Sequence, residues 1–171
     1  MKVFLAAPLT QTLGPDGHVD ADFRAALSSL HEFLEGLGHD VFSAHVREKW
    51  GAALDTPSGA LAIDLAQLQS CDVVVAVVGT PASPGVQFEL GYAVAFEKPL
   101  LIIASDTCEE PYLIRGLPEY AIASIYRTDN LASARRFLDA ELRRFDRAPR
   151  GEVAGRHRSK GRIKRAPRGG R

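Results

Sequence analysis

Long hydrophobic runs are missing from this 171-residue chain. None approaches the ~20 apolar residues of a membrane-spanning helix, so a helical membrane protein is not expected. Cysteine is almost absent: Cys71 and Cys108 are the only two, and their separation fits no metal site or redox pair. Reduced thiols in a cytoplasmic protein follow. Neither cysteine sits beside an obvious base, so neither reads as a nucleophile. The N-terminus, Met1-Lys2-Val3-Phe4-Leu5-Ala6-Ala7-Pro8, places only about five apolar residues after its lysine, where a secretory signal needs roughly 7–15. It reads as a first strand. Net charge is also lacking, but that zero hides a division.

Residues 147–171 hold ten Lys/Arg against one Glu, a balance of +9. Residues 1–146 are left with eleven Lys/Arg against twenty Asp/Glu, a balance of −9. The tail has no aromatic residue, and Val153 and Ile163 are its only branched aliphatics. It cannot bury enough apolar surface to offset the entropy of ordering, so disorder is expected there. The remaining chain, 46% hydrophobic overall, suffices for one substantial core. The expected organisation is one folded domain over 1–146 and a disordered basic tail over 147–171.

Strands are predicted at Lys2–Ala6, His39–Ala44, Asp72–Val78, Leu100–Ala104 and Ala121–Tyr126. Helices are predicted from Asp20 or Asp22 to Leu37, from Thr56-Pro57 through Leu68, over Val86–Phe96 and over Asn130–Phe145. Pro8–Val19 reads as a long loop, and the segment around Trp50 is not assigned. Strands alternating with helices imply an α/β fold: a single Rossmann-like domain with a five-stranded, mostly parallel sheet covered on both faces.

The most informative stretch follows the third strand, where Ser83-Pro84-Gly85 opens a helix carrying Glu89-Leu90-Gly91-Tyr92-Ala93. Ligands of open α/β sheets bind beyond the carboxyl ends of the strands, and helix starts favour anions. A hydroxyl, a glycine and a carboxylate gathered there suit a small phosphorylated molecule. Each also has a plainer reading. Asp64 fits a surface charge, Asp72 a cap for loop backbone, Glu89 a partner of the helix dipole, and Ser83 a turn residue.

Glu89-Leu90-Gly91-Tyr92-Ala93, with Asp64 twenty-five positions upstream and a valine-rich strand between, resembles the nucleoside 2-deoxyribosyltransferase family. The likeness runs from about Lys2 to Tyr126. Ala44-His45-Val46-Arg47-Glu48-Lys49-Trp50-Gly51-Ala52 and Pro81-Ala82-Ser83-Pro84-Gly85 are most similar to its cytidine 5′-monophosphate hydrolases. Leu113-Ile114-Arg115-Gly116 resembles the 2′-deoxynucleoside 5′-phosphate N-hydrolases. The tail has no counterpart.

The resemblance implies Glu89 as nucleophile and Asp64 as the acid that protonates the departing base. Ser83 stands where the family's nucleoside transferases tend to carry aspartate and its nucleotide hydrolases serine. Together with Gly85 it implies a 5′-phosphate site. The loop Pro8-Leu9-Thr10-Gln11 lacks the arginine that the hydrolases often place there, so Thr10, Arg24 or a neighbouring subunit's Arg115 would substitute. His45, Arg47, Glu48 and Trp50 are candidates to line the base pocket, with Pro8 beside them. The expectation is hydrolysis of a pyrimidine nucleoside 5′-monophosphate without metal or cofactor, by a homodimer or larger homo-oligomer. A nucleoside transferase and a non-catalytic nucleotide-binding module are the alternatives. Contact of the basic tail with nucleic acid is weakly motivated, since it offers charge without aromatic stacking.

Overall fold

The computed structural model describes residues 1–79, 82–107, 110–147 and 162–165. Cys108 and most of the basic tail lie outside them. Five strands form where expected: β1 (Lys2–Ala6), β2 (Asp40–Phe42), β3 (Val73–Val78), β4 (Leu100–Ala104) and β5 (Ala123–Arg127). A sixth, β6 (Arg162–Arg165), completes a sheet of order β2-β1-β3-β4-β5-β6 in which every pair is parallel.

A parallel strand covered on both faces needs apolar side chains at every position, and Val73 to Ala76 and Leu100 to Ala104 supply them. Phe4, Val74, Ala76, Leu100 and Ile102 point to one face. There they meet α3 (Pro57–Ser70), α4 (Pro84–Ala95) and α5 (Tyr112–Tyr120). Val3, Leu5, Val75, Leu101 and Ile103 point to the other, beneath α1 (Ala21–Gly36) and α6 (Arg135–Arg147). Among the described residues no helix is long and apolar enough to cross a membrane.

Helix starts follow their capping chemistry. Asp20 caps α1, its carboxylate accepting from the Asp22 and Phe23 N–H groups. Thr56 accepts from the Gly59 N–H at the head of α3, with Pro57 at the first helical position. The second strand is shorter than predicted because Ser43 turns the chain into a single helical turn, α2 (Ala44–Arg47). Helix α5 is not among the predicted helices, since Pro118 inside it argues against one. Its amphipathic face nevertheless buries Ile114 and Pro118.

Strand β6 lies in the segment expected to be disordered. A strand at a sheet edge needs only backbone pairing, which the tail's lack of apolar residues does not prevent. The outer edge of β5 offers that pairing over Ser124 to Arg127.

The order of connection reverses between β1 and β3: β2 follows β1 on one side, and β3, β4 and β5 continue on the other. In this arrangement the crevice outside the carboxyl ends of β1 and β3 is where ligands enter. The sheet must be rigid for that crevice to hold its shape, and Ile102 is fully buried at its centre. Ile102→Ala should lower stability by about 2–5 kcal/mol in urea denaturation; a cost below ~1 kcal/mol contradicts the packing described.

Candidate active site

Three strand exits and two helices surround the crevice. From β1 the chain leaves through Ala7-Pro8. From β2 it passes through Ser43 into α2, which carries His45 and Arg47, then Glu48. From β3 it passes Gly79 and enters α4 at Ser83. Helix α3 carries Asp64 midway along its length, and α4 carries Glu89 as its sixth residue.

Asp64 and Glu89 come together between α3 and α4. Both are half-buried, and Asp64 Oδ1 and Glu89 Oε2 are shielded atoms without a hydrogen-bond partner. Loss of water, then the nearby Asp64 charge, pushes the Glu89 carboxyl up to about 8. Burial likewise raises Asp64, to about 6, with Arg47 opposing the rise and Glu48 adding to it. This corrects the dipole reading of Glu89. The residue lies beyond the first turn of α4, where the field of the helix start has faded. Two carboxylates so placed lose protons in two steps that belong to the pair.

Ser83 caps α4. Its hydroxyl oxygen accepts from the Val86 N–H at 3.3 Å and the residue is 9% exposed, so its O–H proton remains to be donated. Pro84 has no N–H, and the Gln87 N–H is taken by the Ser83 carbonyl. The Gly85 N–H is left as the donor at the head of the helix.

The β2 exit is more structural than its sequence implied. His45 is 1% exposed, and its Nε2 donates to the Pro8 carbonyl at 2.9 Å. Burial lowers its proton affinity, so it is neutral, with Nδ1 buried and unpartnered. Arg47 donates through Nη2 to Glu48 and through Nη1 to Asp55 at 2.9 Å. Its Nε is buried and unpartnered. Asp55 had no recognisable role in the sequence, because its partner lies eight residues earlier across an unassigned turn.

The remaining candidates are carried on elements other than α3 and α4. Trp50 sits at φ 59°, in the left-handed region, on a turn where Gly51 is required because a Cβ would meet the Gly17 carbonyl oxygen at 2.4 Å. The Trp50 ring packs with the cluster beneath α1 and α6, and the Arg24 guanidinium lies 5.3 Å from it. Thr10 is exposed on a 3-10 turn, Thr10–Thr12. Arg115 is exposed on α5, 5.4 Å from the Tyr112 ring, and is not among the charges acting on the pair. Asp72 is at the opposite end of β3, where it accepts from the Lys2 N–H at 2.7 Å. Among the described residues no cluster of three or more His, Cys, Asp or Glu side chains is placed to hold a metal ion.

A separate groove of 460 Å³ opens over the ends of β3, β4 and β5 on the α1 side, lined by Phe23, Gly79, Ser105, Thr107 and Asp129. Asp129 accepts from Ser105 Oγ at 2.5 Å and from the Asp106 N–H at 3.1 Å, which keeps it ionised. A carboxylate there repels anions.

No curated protein matches the chain. Solved structures do. CMP N-glycosidase BcmB of Clostridium botulinum is 25% identical, with 81% of this chain and 99% of that one covered and a TM-score of 0.62. BlsM is 32% identical over 87% of this chain and 95% of that one, with a TM-score of 0.75. The 2-deoxyribosyltransferase of Bacillus psychrosaccharolyticus shares the fold, at 20% identity over 83% and 96% of the two chains, with a TM-score of 0.58. The family model for nucleoside 2-deoxyribosyltransferase matches residues 13–141, so the chain, with its paired carboxylates on α3 and α4, belongs to that enzyme family.

Proposed function

We propose that the protein is a cytoplasmic N-glycosidase that hydrolyses a pyrimidine nucleoside 5′-monophosphate, such as CMP, to free base and (deoxy)ribose 5-phosphate. The observation that carries this reading is the coupling of Asp64 to Glu89 beside a helix start headed by Ser83 and Gly85. The reactive form of the pair holds one proton on Asp64, which requires the proton that the free pair keeps mainly on Glu89 to pass to Asp64 when substrate is bound. Glu89 attacks C1′ as the C1′–N bond breaks, its electrons pass to the base nitrogen, and Asp64 delivers the proton. Water then attacks C1′, Asp64 takes the water's proton, and Glu89 is released. Charge develops on the sugar next to a carboxylate already stripped of water, where electrostatic stabilisation is strongest.

The Ser83 O–H and Gly85 N–H would hold the 5′-phosphate, aided by the helix start. A second reading, base exchange on nucleosides, is favoured by the loop Pro8-Leu9-Thr10-Gln11, which brings no arginine to a phosphate. Incubation with a panel of nucleosides and 5′-monophosphates, with and without an acceptor base, separates the two by their products. Free base from a nucleotide alone supports hydrolysis; exchange on nucleosides alone overturns it.

The partner face lies close by. On the outer side of α4, Phe88 and Phe96 are 53% and 46% exposed. Tyr92 lies between them, with ring centroids 6.3 and 4.8 Å away. An apolar stripe one residue from Glu89 suits a homodimer across α4. Sedimentation equilibrium should give about twice the 18.5 kDa chain mass, and Phe88→Glu should reduce it to the monomer. A wild-type monomer removes the dimer.

Glu89→Gln should abolish turnover while nucleotide binding, followed by calorimetry, survives. It should also change the pH dependence of stability. Folded Asp64 and Glu89 hold protons more tightly than their ordinary values of 3.8 and 4.5. Their contribution to stability is therefore full below those values and is lost as pH rises through about 6 and about 8. Thermal melts should show the variant gaining on the wild type between about pH 5 and about pH 9. Wild-type turnover in Glu89→Gln would sink the mechanism.

Ser83→Asp keeps the helix cap, because aspartate caps as well as serine. It sets a negative charge against the phosphate dianion, at a cost of at least ~2 kcal/mol. Nucleotide kcat/KM should fall by at least about thirtyfold, while hydrolysis of the matching nucleoside is kept or rises. Equal loss on both would make Ser83 purely structural.

A further inference from the structure

We propose that His45 is a positioning residue that pins the exit of β1 at Pro8, and that the left-handed turn at Lys49 and Trp50 holds its imidazole in place. This rests on the reading of the crevice as a nucleotide site, and adds that the wall over β1 and β2 is built before substrate arrives.

The turn itself draws attention. Two consecutive residues with side chains lie in the left-handed region, Lys49 at φ 49° and Trp50 at φ 59°, ahead of Gly51 at φ 97°. A bulky residue there is an outlier, and such strain survives only where the surroundings over-determine it. The Trp50 carbonyl accepts from the Val19 N–H at 3.1 Å. Its ring lies 5.6 Å from the His45 ring, and the Arg24 guanidinium lies 5.3 Å from it. Phe23, on α1, places its ring 6.1 Å from the same imidazole.

The imidazole so enclosed is 1% exposed, with Nε2 2.9 Å from the Pro8 carbonyl oxygen. A carbonyl only accepts, so Nε2 carries the proton and Nδ1 is bare. Nδ1 is buried without a partner. The other tautomer would strand a buried N–H and turn two lone pairs on each other. The Pro8 carbonyl also accepts from Thr12 Oγ1 at 3.1 Å, and the Thr12 carbonyl accepts from the Asp20 N–H at 2.9 Å. One side chain thus ties the β1 exit to the β2 exit, 37 residues away in sequence. A wall already fixed spares the substrate the cost of ordering it.

The test begins with ¹⁵N NMR of the histidines in the full chain. Near neutral pH, His45 should show Nε2 protonated and Nδ1 bare. In His45→Leu, which removes the donor, the Thr12 amide should exchange at least about tenfold faster, while amides of β4 keep their rates. His45→Gln, whose amide can donate to Pro8, should restore slow exchange; the shorter His45→Asn should not. Trp50→Leu should speed Thr12 exchange as well, because the imidazole loses the ring that holds it. The wall does not touch the reacting bond. In His45→Leu the nucleotide KM should therefore rise at least about tenfold with kcat within about threefold, and His45→Gln should reverse the rise. A protonated Nδ1, an unchanged Thr12 rate in folded His45→Leu, or a loss of kcat at constant KM overturns the proposal. If His45→Leu does not fold, the wild-type tautomer and the contrast between His45→Gln and His45→Asn decide it. If no nucleotide is turned over, the proposed reaction fails, while tautomer and exchange still decide the role of His45.

Discussion

A parallel sheet tolerates water on neither face, and that constraint organises this molecule. Each crossover must lay a helix over the sheet, and α3, α4 and α5 cover one side while α1 and α6 cover the other. Reversing the order of connection between β1 and β3 then parts the chain at one place along the carboxyl edge. Pro8, His45 and Ser83 are all residues on the loops or first turns that leave β1, β2 and β3. The crevice is a product of topology, and side chains only furnish it.

What furnishes it most consequentially is desolvation. The same packing of α3 against α4 that buries Leu68 and Leu90 also withdraws Asp64 and Glu89 from water. A carboxylate in water is a poor nucleophile and a weak base; two carboxyls held apart from water become a proton-sharing unit poised near neutrality. The fold therefore invests part of its stability in keeping charge where charge is unwelcome.

Much of this was legible in the sequence. The all-apolar runs Val73–Val78 and Leu100–Ala104 announced interior strands, and Thr56-Pro57 and Ser83-Pro84 announced helix starts, because both signals are local. Strand β6 was illegible for the opposite reason: its pairing is made by backbone, which no side-chain pattern reports. Helix α5 was hidden by Pro118. Within the site, Glu89, Asp64 and Ser83 stood out from spacing and resemblance. Asp55 did not, since an ion pair formed across a turn leaves no periodic trace. Trp50 drew attention as the one tryptophan, and its ring packs with the cluster beneath α1 and α6, 5.6 Å from the His45 ring.

The pairing of β6 with β5 has a consequence for the molecule's sociability. An uncovered β5 would offer a row of unpaired amides to any passing strand, the usual beginning of edge-to-edge aggregation. Here the tail supplies its own last strand, β6, whose backbone takes up that row along β5 and leaves a border of only 4 residues. A segment too polar to enter any core is, for the same reason, well suited to end a sheet.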